Sequence, residues 1–170
     1  MQKMKQEVFQ GKKTMRVVYF IRAALLALLA SSTLVFAQER GTPEEAKALV
    51  DMGLARIKEV GNEKAFAEFR LKDGKWRTKD LYIFVVKFDG TVVTHDNKGM
   101  IGRSLIEVKD QDGKYFAQEM AEIAKSKGAG WIEYKFTEPN TQRIVPKVSY
   151  VARIPGQELI IGAGAYKHKQ

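Results

Sequence analysis

The residues best suited to chemistry lie late in this 170-residue chain. Gly128 to Tyr150, GAGWIEYKFTEPNTQRIVPKVSY, reads as two strands joined by a polar loop. Tyr134 and Tyr150 sit on them, with Lys147 near the start of the second. An ammonium carries three donors, and phenol hydroxyls can donate beside it, so this grouping suits an anion. A charge-assisted hydrogen bond contributes about 1.5–3 kcal/mol. A strand lysine is more often solvated, however. In a straight strand Lys147 and Tyr150 point to opposite faces. Binding at both therefore requires a bend at Pro146, where strand pairing is weakened.

Other chemistries find little support. There is no cysteine, which excludes disulfides, thiolate zinc sites and cysteine nucleophiles. His95-Asp96 has only His168 as a further imidazole, too few ligands for a transition-metal enzyme; His95 suits a hydrogen-bonding role in a pocket or loop. Gly162-Ala163-Gly164 begins like a dinucleotide loop, but Lys167 stands where the third glycine belongs. Asp110-Gln111-Asp112-Gly113 begins like a calcium loop, but Tyr115 and Ala121 occupy the positions needing Gly and Glu, so it reads as a helix cap. Ser104 and Ser149 have no evident base. Glu133 and Glu138 stand an odd number apart, which does not support a glycosidase pair. The chain is therefore read as non-enzymatic, with no metal and no cofactor.

The elements that must position these residues make an α+β domain with an antiparallel sheet. Thr42-Pro43-Glu44-Glu45 is a capping box with proline at the first helical position. Ala46, Leu49, Val50, Gly53, Leu54 and Ile57 follow as one helical stripe. Gly61-Asn62 breaks the helix, and a short second piece carries Ala65, Phe66 and Phe69. Leu81 to Phe88 reads as a central strand and Thr91 to His95 as its return across Asp89-Gly90. Residues 97–112 read as a crossover loop. Lys114 to Lys127 is a helix that Gly128 stops. Trp131–Phe136, Val148–Ile154 and Leu159–Tyr166 complete the strands, with turns at Pro139-Asn140 and Pro155-Gly156.

Strand alternation sorts these residues into two sets. One holds Tyr82, Phe84, Val86, Phe88, Ile132, Tyr134, Phe136, Val148, Tyr150, Ala152, Ile160, Gly162, Gly164 and Tyr166. The other holds Leu81, Ile83, Val85, Trp131, Val151, Leu159, Ile161 and Ala163, and suits packing under the first helix. The aromatic set has four hydroxyls needing partners and two glycines leaving space, the makings of a cavity. The rival reading makes these tyrosines ordinary core residues with hydroxyls reaching the edge.

The net charge of +9 is concentrated at the N-terminus. Residues 1–37 hold six Lys/Arg against Glu7, which leaves +4 for the remainder, weak support for nucleic acid. Those residues also run basic, then apolar from Ala23 to Val35, then Val35-Phe36-Ala37 with cleavage before Gln38. That is the order of a secretory signal peptide. Residues 1–14 would be an overlong start if Met15 is the true one. The apolar run is short for a bilayer span; the alternative is an uncleaved anchor. Either way residues 38–170 are expected outside the cytoplasmic membrane, in the periplasm.

Taken in order, Asp80 to Val85, Asp89-Gly90, Thr94-His95, Gly102, Gly130 to Tyr134, Pro139, Pro146 to Val151 and Ile161 to Tyr166 resemble the single Cache domain of type 2. This is an extracytoplasmic sensory module of chemoreceptors and histidine kinases. The resemblance covers roughly Thr42 to Tyr166. It implies a PAS-like fold, with a long N-terminal helix behind a five- to six-stranded antiparallel sheet and a ligand on the opposite face. It implies small ligands, commonly short-chain carboxylates. By motif position it makes Tyr82, His95, Tyr134, Lys147 and Tyr150 the polar groups of the pocket, and Phe84 and Phe136 its apolar wall. Two positions depart from the family pattern: Phe136 stands where Trp is frequent, and Asp96 where Pro follows the histidine. No membrane helix or signalling domain is expected after Tyr166. The expected partners are a small organic acid, a membrane histidine kinase or chemoreceptor, and a second copy through the N-terminal helix, with no nucleic acid. The rival to a sensory role is an interaction module with a filled pocket.

Overall fold

Thr42 opens the first helix, α1 (Pro43–Val60), with both halves of the capping box in place. The Glu45 N–H donates to Thr42 Oγ1 at 3.2 Å, and the Thr42 N–H donates to Glu45 Oε2 at 2.9 Å. This computed structural model describes residues 40–167; the leader expected over residues 1–37 lies outside them. Gly61, at φ 79°, ends α1 and starts α2 (Asn62–Phe69), a backbone turn that favours glycine. Among the described residues no helix is long and apolar enough to cross a membrane.

Seven strands follow: β1 (Arg77–Thr78), β2 (Leu81–Tyr82), β3 (Phe84–Lys87), β4 (Val92–Thr94), β5 (Ala129–Thr137), β6 (Ile144–Arg153) and β7 (Leu159–Tyr166). Helix α3 (Phe116–Ser126) lies between β4 and β5. The main sheet is antiparallel, in the order β4-β3-β7-β6-β5, and β1 and β2 form a separate pair. The predicted strand from Leu81 to Phe88 is therefore divided at Ile83. Its first part pairs with β1, and only its second part enters the main sheet. The middle place belongs to β7, whose run of Gly162, Ala163, Gly164 and Ala165 lets both layers approach closely.

The sheet is covered on both faces. On one, Leu49, Val50 and Ile57 of α1 and Phe66 and Phe69 of α2 pack against Leu81, Ile83, Val85, Ile161 and Ala163. Each large apolar side chain buried there contributes about 1.5–3 kcal/mol. A Cβ at Gly53 would fall 2.6 Å from Ile161 Cδ1, so this glycine sets how close α1 lies to the sheet. On the other face, Phe116, Ala117 and Met120 of α3 cover Phe84, Ile132, Tyr134 and Tyr166. Asp110 does not cap α3, as the sequence suggested. Its carboxylate accepts from the N–H groups of Asp112, Lys114 and Lys135, which ties the crossover loop to β5.

Replacing Thr42 with alanine removes one half of the capping box. The expected loss is about 1 kcal/mol, read as a lower denaturation midpoint with an unchanged slope.

Candidate functional site

Lys147 is the largest fully buried side chain, 1% exposed. Alternation along β6 puts it there without any bend. Lys147 stands opposite Tyr134 of β5 and Tyr166 of β7, and directly opposed residues share a face. Lys147, Ser149 and Val151 therefore face α3, and Val148, Tyr150 and Ala152 face α1. The face expected for this strand is reversed. Tyr150 consequently leaves the proposed pocket: its ring packs against Trp131 at 5.0 Å and lies under the Lys47 ammonium. The glycines do not leave empty space either. The ring of Phe84 lies over Gly162. Ser149 and the Lys147 stem lie over Gly164, where a Cβ would come within 2.8 Å of Lys147 Cε.

The ammonium ends among aromatic rings. Its nitrogen is 4.2 Å from the Tyr82 ring centre, 4.7 Å from that of Tyr166 and 5.5 Å from those of Phe84 and Phe136. It donates to Tyr82 Oη at 3.0 Å. The remaining bonds assign the protons. The Asn97 N–H donates to His95 Nδ1 at 3.0 Å, so that nitrogen is unprotonated. The neutral ring then carries its hydrogen on Nε2 and offers it to Tyr82 Oη at 3.4 Å. Tyr166 Oη donates to the Thr137 carbonyl at 2.9 Å, so Tyr82 donates to Tyr166 at 3.2 Å. Tyr82 thus accepts twice and donates once. Two of the three Lys147 donors have no partner among the described residues.

Among the described residues no carboxylate forms an ion pair with this ammonium. Burial, first of all, raises the pKa of Tyr82, Tyr134 and Tyr166 above the ordinary phenol value, so they remain neutral. Asp96 pairs with Arg77, and Asp80 accepts from the Gly41 N–H. Both carboxylates favour the lysine cation from a distance, but burial outweighs them and lowers its pKa from 10.5 to about 7. Burial, and then the charge of Lys147, lower His95 to about 3.

Six of the seven site residues expected from the sequence come together: Tyr82, Phe84, His95, Tyr134, Phe136 and Lys147. Tyr134 stacks on Phe116 at 4.9 Å and shares a 3.2 Å hydrogen bond with Ser149. Sequence reasoning missed Tyr166 and Ser149, although the parity of β7 had already placed Tyr166 on this face. It also missed Leu105, Phe116 and Met120, which close the far side of the pocket. The enclosed space there is about 20 Å³, room for about one water. A larger recess of about 690 Å³ opens outward, and Tyr82, His95 and Phe136 belong to the walls of both. Among the described residues no group of three or more His, Asp or Glu could hold a metal ion.

A buried ammonium without a counter-ion costs stability. Between pH 7 and 10.5 the unfolded chain binds more protons than the folded one. Stability should therefore rise with pH across that window, by at most about 1.4 kcal/mol per unit, with the penalty in full force below pH 7. Lys147→Met should remove this slope and stabilise the unliganded protein by about 1–4 kcal/mol near pH 7, measured by denaturant titration at several pH values.

The Cache domain family profile matches residues 63–169. The sensor histidine kinase MctS of Rhizobium johnstonii (strain DSM 114642 / LMG 32736 / 3841) is 32% identical over 89 residues, which span 52% of this chain and 19% of the kinase. Solved structures share the fold. A Cache chemosensory domain studied for carboxylic acid recognition superposes with a TM-score of 0.64 at 24% identity, covering 74% of this chain and 92% of that one. A methyl-accepting chemotaxis protein of Vibrio parahaemolyticus RIMD 2210633 gives 0.61 at 24%, covering 72% and 86%. The periplasmic sensor domain of a chemotaxis protein gives 0.57 at 25%, covering 74% and 90%.

Proposed function

We infer that this chain, which belongs to the Cache family of sensory domains, binds a small organic anion and passes the bound state to a histidine kinase or chemoreceptor. One observation carries the reading: Lys147 is buried among aromatic rings, and among the described residues its ammonium forms no ion pair and only one of its three donors has a partner. A carboxylate supplies the missing charge and the missing acceptors together. Tyr82 and His95, shared by the recess and the enclosed pocket, are the groups a ligand would displace to reach it. Tyr134, Phe84 and Phe136 would line its path. The role is binding without turnover, on the outer side of the cytoplasmic membrane if residues 1–37 act as a leader. The relative that recognises carboxylic acids is 24% identical, so that likeness supports the fold; the anion reading rests on Lys147.

A second reading has an observation of its own. The enclosed pocket holds about 20 Å³, which suits an interaction module with a filled core. Thermal melts of the full chain with short mono- and dicarboxylates separate the two. Stabilisation by an acid favours binding, and no shift across the series favours the filled core.

The pH dependence of binding follows from the lysine. The anion binds the protonated form, so affinity should be level below about pH 7 and fall about tenfold per unit above it. Titration calorimetry of the full chain checks this. Lys147→Met, although more stable, should show no binding; unchanged affinity in that variant removes the site.

A further inference from the structure

The outer recess bears charge of its own. Lys72 and Lys98 stand exposed at its mouth, and neither forms an ion pair among the described residues. Arg77 also lines it but is paired with Asp96 across the wall. Three cations and one carboxylate make the lining net positive, and Lys147 adds a further charge beneath the floor. The neutral ring of His95 offsets none of it. A monocarboxylate held at the floor would satisfy Lys147 and leave both mouth lysines unmatched.

We propose that the ligand carries two anionic groups, a short dicarboxylate, with one carboxylate reaching Lys147 past Tyr82 and His95 and the other at the mouth lined by Lys72 and Lys98. This rests on the anion-binding reading of Lys147 and adds to it the ligand class and a second contact point. The floor group is desolvated and holds its guest through a charge-assisted hydrogen bond. The mouth lysines are hydrated, so each adds less, and their share is screened by salt.

The test compares succinate with butyrate, which share a carbon count and differ in charge, by calorimetry on the full chain. Succinate should bind about tenfold tighter at low ionic strength, and the advantage should shrink towards high salt. The double variant Lys72→Gln/Lys98→Gln should lose most of that advantage while butyrate affinity changes less than about twofold; two exposed contacts of this kind account for a factor of about ten. Lys58→Gln on α1 should change neither acid. Three results would overturn the proposal: butyrate binding as tightly as succinate, equal weakening of both acids in the double variant, or an equal loss in Lys58→Gln, which would trace the preference to net charge alone. Binding of neither acid to the unaltered protein removes the anion-binding reading itself, and this proposal with it.

Discussion

A single uncompensated ammonium organises one half of this molecule. Lys147 is held where water cannot solvate it, and its surroundings substitute only in part. One phenol oxygen accepts a hydrogen bond, and four rings present their faces within 4.2–5.5 Å. Cation–π attraction at such distances is worth about 2 kcal/mol at most sites of this kind, less than the cost of desolvating a full charge. The residue is destabilising by its nature, and the α1 side of the sheet provides the stability that tolerates it. That face is apolar, with Phe66, Phe69 and Trp76 among aliphatic side chains, and among the described residues it contains no buried lysine. The division of labour between the faces lets a strained charge persist in a small domain.

Much of the scaffold was legible in the sequence because local rules and tertiary packing agree there. The cap at Thr42, the stripe on α1, the break at Gly61 and the alternation on β7 each point the same way in isolation and in the fold. Strand β6 was not legible in the same way. Its two rows are Lys147, Ser149 and Val151 against Val148, Tyr150 and Ala152, and the second row is the more apolar. Both faces are buried, so alternation gives no contrast, and the polar row was left without a home. Pairing settles the matter. Tyr134 opposite Lys147 and Ser149 opposite Gly164 fix the face by register, which depends on the length of the 138–143 loop and not on composition.

The glycines teach a related point. Gly162 and Gly164 were read as missing volume and hence as a cavity. They are missing volume, but the Phe84 ring and the Lys147 stem occupy it. The stem of a lysine packs as an apolar chain, and the glycine beneath it is what lets that chain lie flat across the sheet. Small residues on the central strand therefore position the charge. The space for a ligand lies further out, where the 95–100 segment and the turn after β5 do not meet.

The stretch from Asp80 to Tyr82 ties the two halves together. Tyr82 accepts the lysine hydrogen bond from the α3 side. Leu81 sits fully buried on the other face, its tip against Gly41. Asp80 accepts the Gly41 N–H at 2.6 Å, immediately before the Thr42 cap that starts α1. The second oxygen of this buried carboxylate has no hydrogen-bond partner, so it is held by the geometry around it and not by a balanced network. Leaving Ile83 out of both sheets frees this segment from the ladder that would otherwise fix it to β7. The phenol that accepts from the lysine, on β2, and the carboxylate that holds the Gly41 N–H are thus two residues apart in the chain. That strand pairs with β1 and not with the main sheet.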